Sequence, residues 1–275
     1  LWKELGLDTE GILRRQPYRV FEDGFISFEL AERLAERSGI PPNAPERVDA
    51  ALLCVLRQAE QRGHLCLHKE PFIREAVRLL ANAALTRMEV ANRAFEMLKA
   101  RRLALYQDHV YRPVFAGAEQ GAAAYIREML SGPQLPYMGD LDDELDRQAK
   151  ELGLALAKEQ RHAVKTALTN PLSIITGGPG TGKTLIQRVL LNIYAKAFPD
   201  AKVVCCAPTG RAARRMEQST GFQASTVHKA LGLLNNEFKE LTPPEILNAD
   251  LVLVDEVSML DMALAWYLFR ALPIG

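Results

Sequence analysis

Eight consecutive residues, Gly177-Gly178-Pro179-Gly180-Thr181-Gly182-Lys183-Thr184, lie between an apolar run and a helical one. They fit the spacing GxxxxGK(S/T). Glycines at this density let a backbone curl until successive amide N–H groups converge, the arrangement that holds phosphate oxygens. Gly178, Pro179, Gly180, Thr181 and Gly182 would form the walls of such a cradle. Lys183 would place a point charge at the β- and γ-phosphates, and the Thr184 hydroxyl would ligate Mg²⁺. Residues 185–197, LIQRVLLNIYAKA, read as a helix that starts near Lys183 and turns its positive dipole end toward the anion.

A second chemical signal lies downstream. Leu251-Val252-Leu253-Val254 runs straight into Asp255-Glu256. An apolar strand ending in a carboxylate can bring an acid to Mg²⁺ opposite Thr184. The second acid is a natural general base for an attacking water, which favours hydrolysis over phosphoryl transfer to a bound acceptor.

These residues need a scaffold. Residues 172–176 (LSIIT), 202–207 (KVVCCA) and 251–255 (LVLVD) are short apolar runs separated by amphipathic stretches. Such runs fit strands buried on both faces of a parallel sheet, and intervening helices imply right-handed crossovers. The expectation is an α/β P-loop NTPase domain with a RecA-like parallel sheet, spanning residues 134–275.

Upstream the pattern is helical. Residues 28–38 place Leu30, Ala31, Leu34 and Ala35 on one face and stop at Gly39; residues 45–63 begin with a Pro-Glu helix start. Further helices are expected over 71–80 and 87–101. Leu103 to Val114 then alternates around Asp108-His109 as a β-hairpin would, with His109 solvated in the turn. Helices followed by a hairpin suggest a winged-helix-like region over 64–133, after a helical region over 1–63. Lys99, Arg101, Arg102 and Arg112 would give that unit a basic edge, or would simply complement a helix dipole. Residues 131–140, SGPQLPYMGD, read as a linker. Trp2 and Trp266 sit in apolar contexts and read as core.

The composition is that of an ordinary globular protein, 48% hydrophobic and 25% charged. Lys plus Arg balances Asp plus Glu at 34 each, so no global basic excess announces a nucleic acid, although a local groove would suffice. The four cysteines make no CxxC pair, and Cys205-Cys206 reads as two small buried hydrophobes on a strand. A reducing, cytoplasmic setting is expected, with no membrane partner and no signal-peptide pattern. Leu1 is not an initiator Met, which suggests a piece of a longer chain.

Further segments carry a resemblance. Gln160 lies in KEQRHAV before the phosphate loop, and Ala207-Pro208-Thr209-Gly210-Arg211-Ala212-Ala213 follows the second strand. Ser225-Thr226-Val227-His228-Lys229-Ala230-Leu231-Gly232 and VDEVSMLD (254–261) come after. In this order, from about residue 152 onward, they resemble the RecD-like branch of superfamily 1 DNA helicases, the family of the exodeoxyribonuclease V alpha subunit. The resemblance implies that Gln160 contacts adenine and that PTGRAA and STVHKALG face single-stranded DNA. Pro208, Thr209, Arg211, Thr226 and His228 would then touch its backbone; taken singly, each could equally serve helix capping or a turn. Pro17-Tyr18-Arg19 before an amphipathic helix is similar to the family's helix-hairpin-helix region. The GxG turn such hairpins use on DNA reads Phe25-Ile26-Ser27-Phe28 here, with Gly24 just before, so this hairpin could serve packing alone. VYRPVFAGAEQGAAAYI (110–126) is similar to the segment leading into the motor.

The family continues with a strand carrying a Gly-Asp…Gln motif and a second RecA-like domain with arginine fingers; this sequence stops at Gly275. The family's fold puts that strand between those ending at Thr176 and Asp255, so the expectation is a gap there and a longer native protein. This chain alone is expected to be a poor ATPase and no helicase. The parent is expected to be an ATP- and Mg²⁺-dependent DNA helicase or translocase, moving 5′ to 3′ on single-stranded DNA in recombination or repair. Duplex DNA or helicase–nuclease subunits are further expected partners. The alternatives are an RNA helicase and a nucleotide-dependent DNA-binding adaptor without unwinding activity.

Overall fold

The computed structural model describes residues 8–80, 85–132, 139–153, 155–233 and 244–273. They fall into two compact units, one ending at Gly117 and the other beginning at Ala118.

The first unit starts with α1 (Thr9–Arg15), α2 (Pro17–Glu22), α3 (Phe28–Arg37) and α4 (Pro45–Gln61). Proline at the first position of α2 and of α4 pre-sets the helical φ where no intrahelical N–H bond is lost. Between α2 and α3 the chain turns at Gly24, with φ +83°, and the Ser27 hydroxyl caps α3 by accepting from the Leu30 amide at 3.2 Å. Phe28 turns inward against Phe21 and Tyr18, with ring centroids 5.6 and 6.4 Å apart. On α3 the inward face is narrower than the sequence suggested: Ala31 and Ala35 are buried, whereas Leu30 is exposed.

After α4 come β1 (Cys66–His68), α5 (Lys69–Leu79), α6 (Arg87–Lys99), β2 (Ala104–Tyr106) and β3 (His109–Tyr111). The sheet order is β1-β3-β2, all antiparallel. The order is a helix, a strand, two helices and a hairpin. The tip of the hairpin is Gln107-Asp108, with Gln107 at φ +53°. His109 is therefore not a turn residue but the first residue of β3, edge-on to its ladder partner His68 with ring centroids 5.6 Å apart.

The expected basic edge is narrower than four cations. Arg102 donates to Asp49 and to Glu22 (2.7 Å), and Arg112 makes a two-pronged bond to Glu60 (2.6 and 2.7 Å). Lys99 pairs with Glu96 at 3.0 Å and lies over the Phe95 ring. Part-buried carboxylates take up Arg102 and Arg112, so a count of basic residues overstated the charge those two offer to a partner, while Arg101 stays exposed and Lys99 pairs on the surface.

The second unit contains the C-terminal part of α7 (Pro113–Ser131), then α8 (Leu141–Glu151), α9 (Lys158–Thr169) and α10 (Lys183–Ala197). Next are β4 (Val203–Ala207), α11 (Gly210–Thr220), β5 (Ala224–Thr226), α12 (Val227–Ala230), β6 (Leu251–Val254) and α13 (Met262–Ala271). The sheet is parallel, in the order β5-β4-β6, with Cys205 opposite both Ala224 and Leu253. One core gathers Leu145, Val164, Val189, Leu191 and Ile193; another joins Cys206 and Val227 to Leu264, Tyr267 and Leu268 of α13. Burial pushes the Cys205 thiol up to about 11 and Cys206 up to about 12, as expected of inert core thiols.

One expected strand is not formed. Residues 172–176 make no ladder among the described residues; Ile175 packs on the core while Ile174 is 76% exposed. Among the described residues β6 pairs only with β4, and it is half-buried rather than enclosed. Strand formation needs a neighbour to accept its backbone bonds, which an apolar pattern cannot supply.

Gly121 of α7 lies against α13. A Cβ there would stand 2.5 Å from the Trp266 ring, which also carries the Arg270 guanidinium on its face. In an open helix, Gly→Ala gains roughly 1 kcal/mol; here the clash should win. Gly121→Ala is expected to lower stability by about 1–2 kcal/mol as the indole is forced aside. Chemical unfolding together with a red shift of tryptophan emission checks this.

Candidate active site

Two glycines set the shape of the phosphate loop. Gly180 and Gly182 have φ of +77° and +83°, a region costly for residues with a Cβ. At Gly182 a Cβ would also lie 2.6 Å from Gln160 Nε2. The left-handed turn at Gly182 is the N-cap of α10, so Lys183 and Thr184 occupy the first helical turn. There the free N–H groups and the positive end of the helix dipole coincide.

Side chains brace the loop from within. Lys183 Nζ donates to the carbonyls of Gly177 (2.5 Å) and Gly178 (3.0 Å), and Thr181 Oγ1 donates to Gly178 O at 2.9 Å. Gln160, on the first turn of α9, accepts from the Ala157 amide at 2.9 Å through Oε1 and donates to Thr181 O at 3.0 Å through Nε2. The resemblance implied a contact of Gln160 with adenine; the bond the structure gives it is to the loop itself.

Asp255 arrives from the other side. Its amide donates to Cys206 O at 2.9 Å, continuing the β4–β6 ladder by one bond. Its Oδ1 accepts from Gln187 Nε2 at 2.9 Å. Gln187 is three residues beyond Thr184 on α10, hence on the same helix face. This bond ties the carboxylate to the helix that opens the phosphate loop. Glu256 follows, exposed, with φ +52°, a left-handed conformation uncommon outside glycine. Gln187 escaped the sequence reading: its spacing from Thr184 was visible, but its partner is 68 residues away.

The remaining residues line one rim. β4 ends beside β5 with Ala207 opposite Thr226, and beside β6 with Cys206 opposite Val254. Pro208-Thr209, Thr226 and Asp255 therefore leave the same C-terminal edge of the sheet, the edge where open α/β sheets bind ligands. Thr209 and Thr226 each cap a helix, accepting from the Ala212 and Lys229 amides at 3.2 Å. Arg211 is exposed and His228 half-buried.

A glycine loop capping a helix, backed by a parallel sheet whose neighbouring strand ends in an acid, defines a P-loop NTPase fold. The comparisons agree. Residues 160–275 match the model of an AAA domain, and residues 1–66 match the helix-hairpin-helix domain of the ATP-dependent RecD2 DNA helicase. The ATP-dependent RecD2 DNA helicase of Deinococcus radiodurans is 30% identical over 286 residues, covering 99% of this chain and 39% of that protein. RecBCD enzyme subunit RecD of Haemophilus influenzae is 38% identical over 137 residues, 41% of this chain and 21% of that protein. The same subunit of Mycolicibacterium smegmatis is 32% identical over 138 residues, 42% of this chain and 25% of that protein. Both ends of the chain are thus similar to RecD-like helicases, which are nucleotide-binding proteins, and the chain spans about two fifths of the length of its Deinococcus relative. Among the described residues no helix is long and apolar enough to cross a membrane.

Proposed function

We propose that this chain carries the ATP-binding half of an ATP-dependent DNA helicase that translocates on single-stranded DNA in recombination or repair. The observation that carries the reading is the convergence of Gln160, the phosphate loop and Asp255 on the first turns of α10. Gln160 would meet the adenine while keeping its hold on the loop. Residues 178–182 would offer backbone amides to the phosphates, and Lys183 would exchange its two carbonyl partners for phosphate oxygens. The donor set also suits Mg²⁺: the Thr184 hydroxyl and the Asp255 carboxylate are hard oxygen ligands. When bound, the ion would neutralise phosphate charge. Glu256, exposed beyond Asp255, would accept the proton of the attacking water.

Pro208, Thr209, Arg211, Thr226 and His228 stand along the rim and would grip the DNA backbone without reading bases. Because two of them also cap helices, their substitution should weaken both DNA binding and the local fold.

The test uses the protein extended to the length of its relatives, with Mg²⁺ and ATP. Unwinding of a duplex bearing a single-stranded 5′ DNA tail, and not of one bearing a 3′ tail, is the expected result. Unwinding confined to RNA would replace DNA as the track. Tight DNA binding with nucleotide turnover but no unwinding on any tail would favour an adaptor.

A further inference from the structure

The Gln187–Asp255 bond has a role beyond packing. Asp255 has two carboxylate oxygens, and a metal ligand works only when one of them is aimed. Gln187 Nε2 holds Oδ1 at 2.9 Å, while the Asp255 amide is held by Cys206 O. Backbone and one oxygen are thus fixed from two different elements, β4 and α10, and among the described residues Oδ2 takes no bond. The Gln187 donor lies one helical turn beyond Thr184, so both proposed metal ligands are referenced to the same stretch of α10.

We infer that Gln187 is a positioning residue for the divalent cation: its amide orients the Asp255 carboxylate toward the cation beside Thr184 and so sets cation affinity. A neutral amide suits this task. It donates one bond and adds no charge to the site, whereas a Lys at the same place would pair with Asp255 and compete with the cation. Residues that orient a metal ligand typically change metal affinity by about 10–100-fold when substituted. This inference rests on the P-loop reading and extends it to a residue outside the GxxxxGK(S/T) spacing.

The experiment measures cation binding apart from turnover. A fluorescent ADP analogue is bound to the extended protein in EDTA and titrated with Mg²⁺; Mn²⁺ paramagnetic resonance gives a second readout. Gln187→Met keeps the length and removes the donor, and Gln187→Lys places a competing cation beside Asp255. Gln187→Met is expected to weaken Mg²⁺ and Mn²⁺ binding about 10-fold, with nucleotide affinity in EDTA and thermal stability near those of the parent. Gln187→Lys is expected to weaken the cations further. Parental cation affinity in both variants overturns the inference, as does a loss explained by parallel loss of folding or of EDTA-state nucleotide binding. Failure of the unsubstituted protein to bind nucleotide at all would instead overturn the P-loop reading.

Discussion

Lys183→Ala should reduce ATP turnover by the extended protein about 10²–10³-fold or more, the scale seen when one charge-stabilising donor is removed from a reacting centre. The reason is local. Lys183 Nζ lies within 3.0 Å of two loop carbonyls, so the ammonium sits inside the cradle rather than at its edge. Removing it takes away the point charge facing the phosphates and also two bonds that brace residues 177 and 178. Nucleotide affinity and turnover should therefore fall together. Glu256→Gln should behave differently. Glu256 is exposed and makes no bond to the loop among those described, so nucleotide should still bind while hydrolysis stops and bound ATP accumulates. Rapid filtration with labelled ATP separates the two outcomes. Parental turnover by the Lys183→Ala variant would contradict the role given to the loop.

Asp49→Asn should be the most destabilising single polar substitution in the first unit. Asp49 is only 2% exposed, and it accepts from two guanidiniums, those of Arg93 (2.7 Å for one prong) and Arg102. Removing one partner of a buried charge cluster costs about 3–5 kcal/mol, because the remaining charges are left without compensation in a poorly solvated place. For a unit near 100 residues that corresponds to a fall in Tm on the order of 10–20 °C. Glu75→Gln is the natural comparison. Its bonds to Arg78, at 2.9 and 3.0 Å, lie on the surface, where an ion pair contributes only about 0–1 kcal/mol. Urea unfolding of both variants tests the contrast; equal, small effects would mean that the Asp49 cluster is no stronger than a solvated pair.

Most of the helices and the chemistry of the loop were legible because they are local. The helix start at Pro45 announces itself through a residue type that tolerates the open N–H groups of a first turn. The phosphate loop and Asp255 depend on spacing within a few residues. What escaped depends on partners distant in sequence. β1 has only three residues, too few for a period to show, and its identity comes from pairing with β3. Residues 172–176 look like a strand but lack a ladder, since hydrophobicity fixes which face is buried and not whether a neighbour exists. Arg102 and Arg112 were read as surface charge because the carboxylates that hold them lie 53 and 52 residues away, at Asp49 and Glu60. Gln187 is of the same kind: its meaning lies wholly in Asp255.

The central claim is that the residues gathered at the start of α10 form the ATP site of a motor that tracks single-stranded DNA. Its most direct test is ATP hydrolysis by the extended protein, with and without single-stranded DNA, at about 50 and 200 mM salt, a range over which phosphate-dominated contacts weaken steeply. The account predicts strong stimulation by DNA that fades as salt rises. Robust hydrolysis indifferent to DNA at both salt concentrations would contradict it.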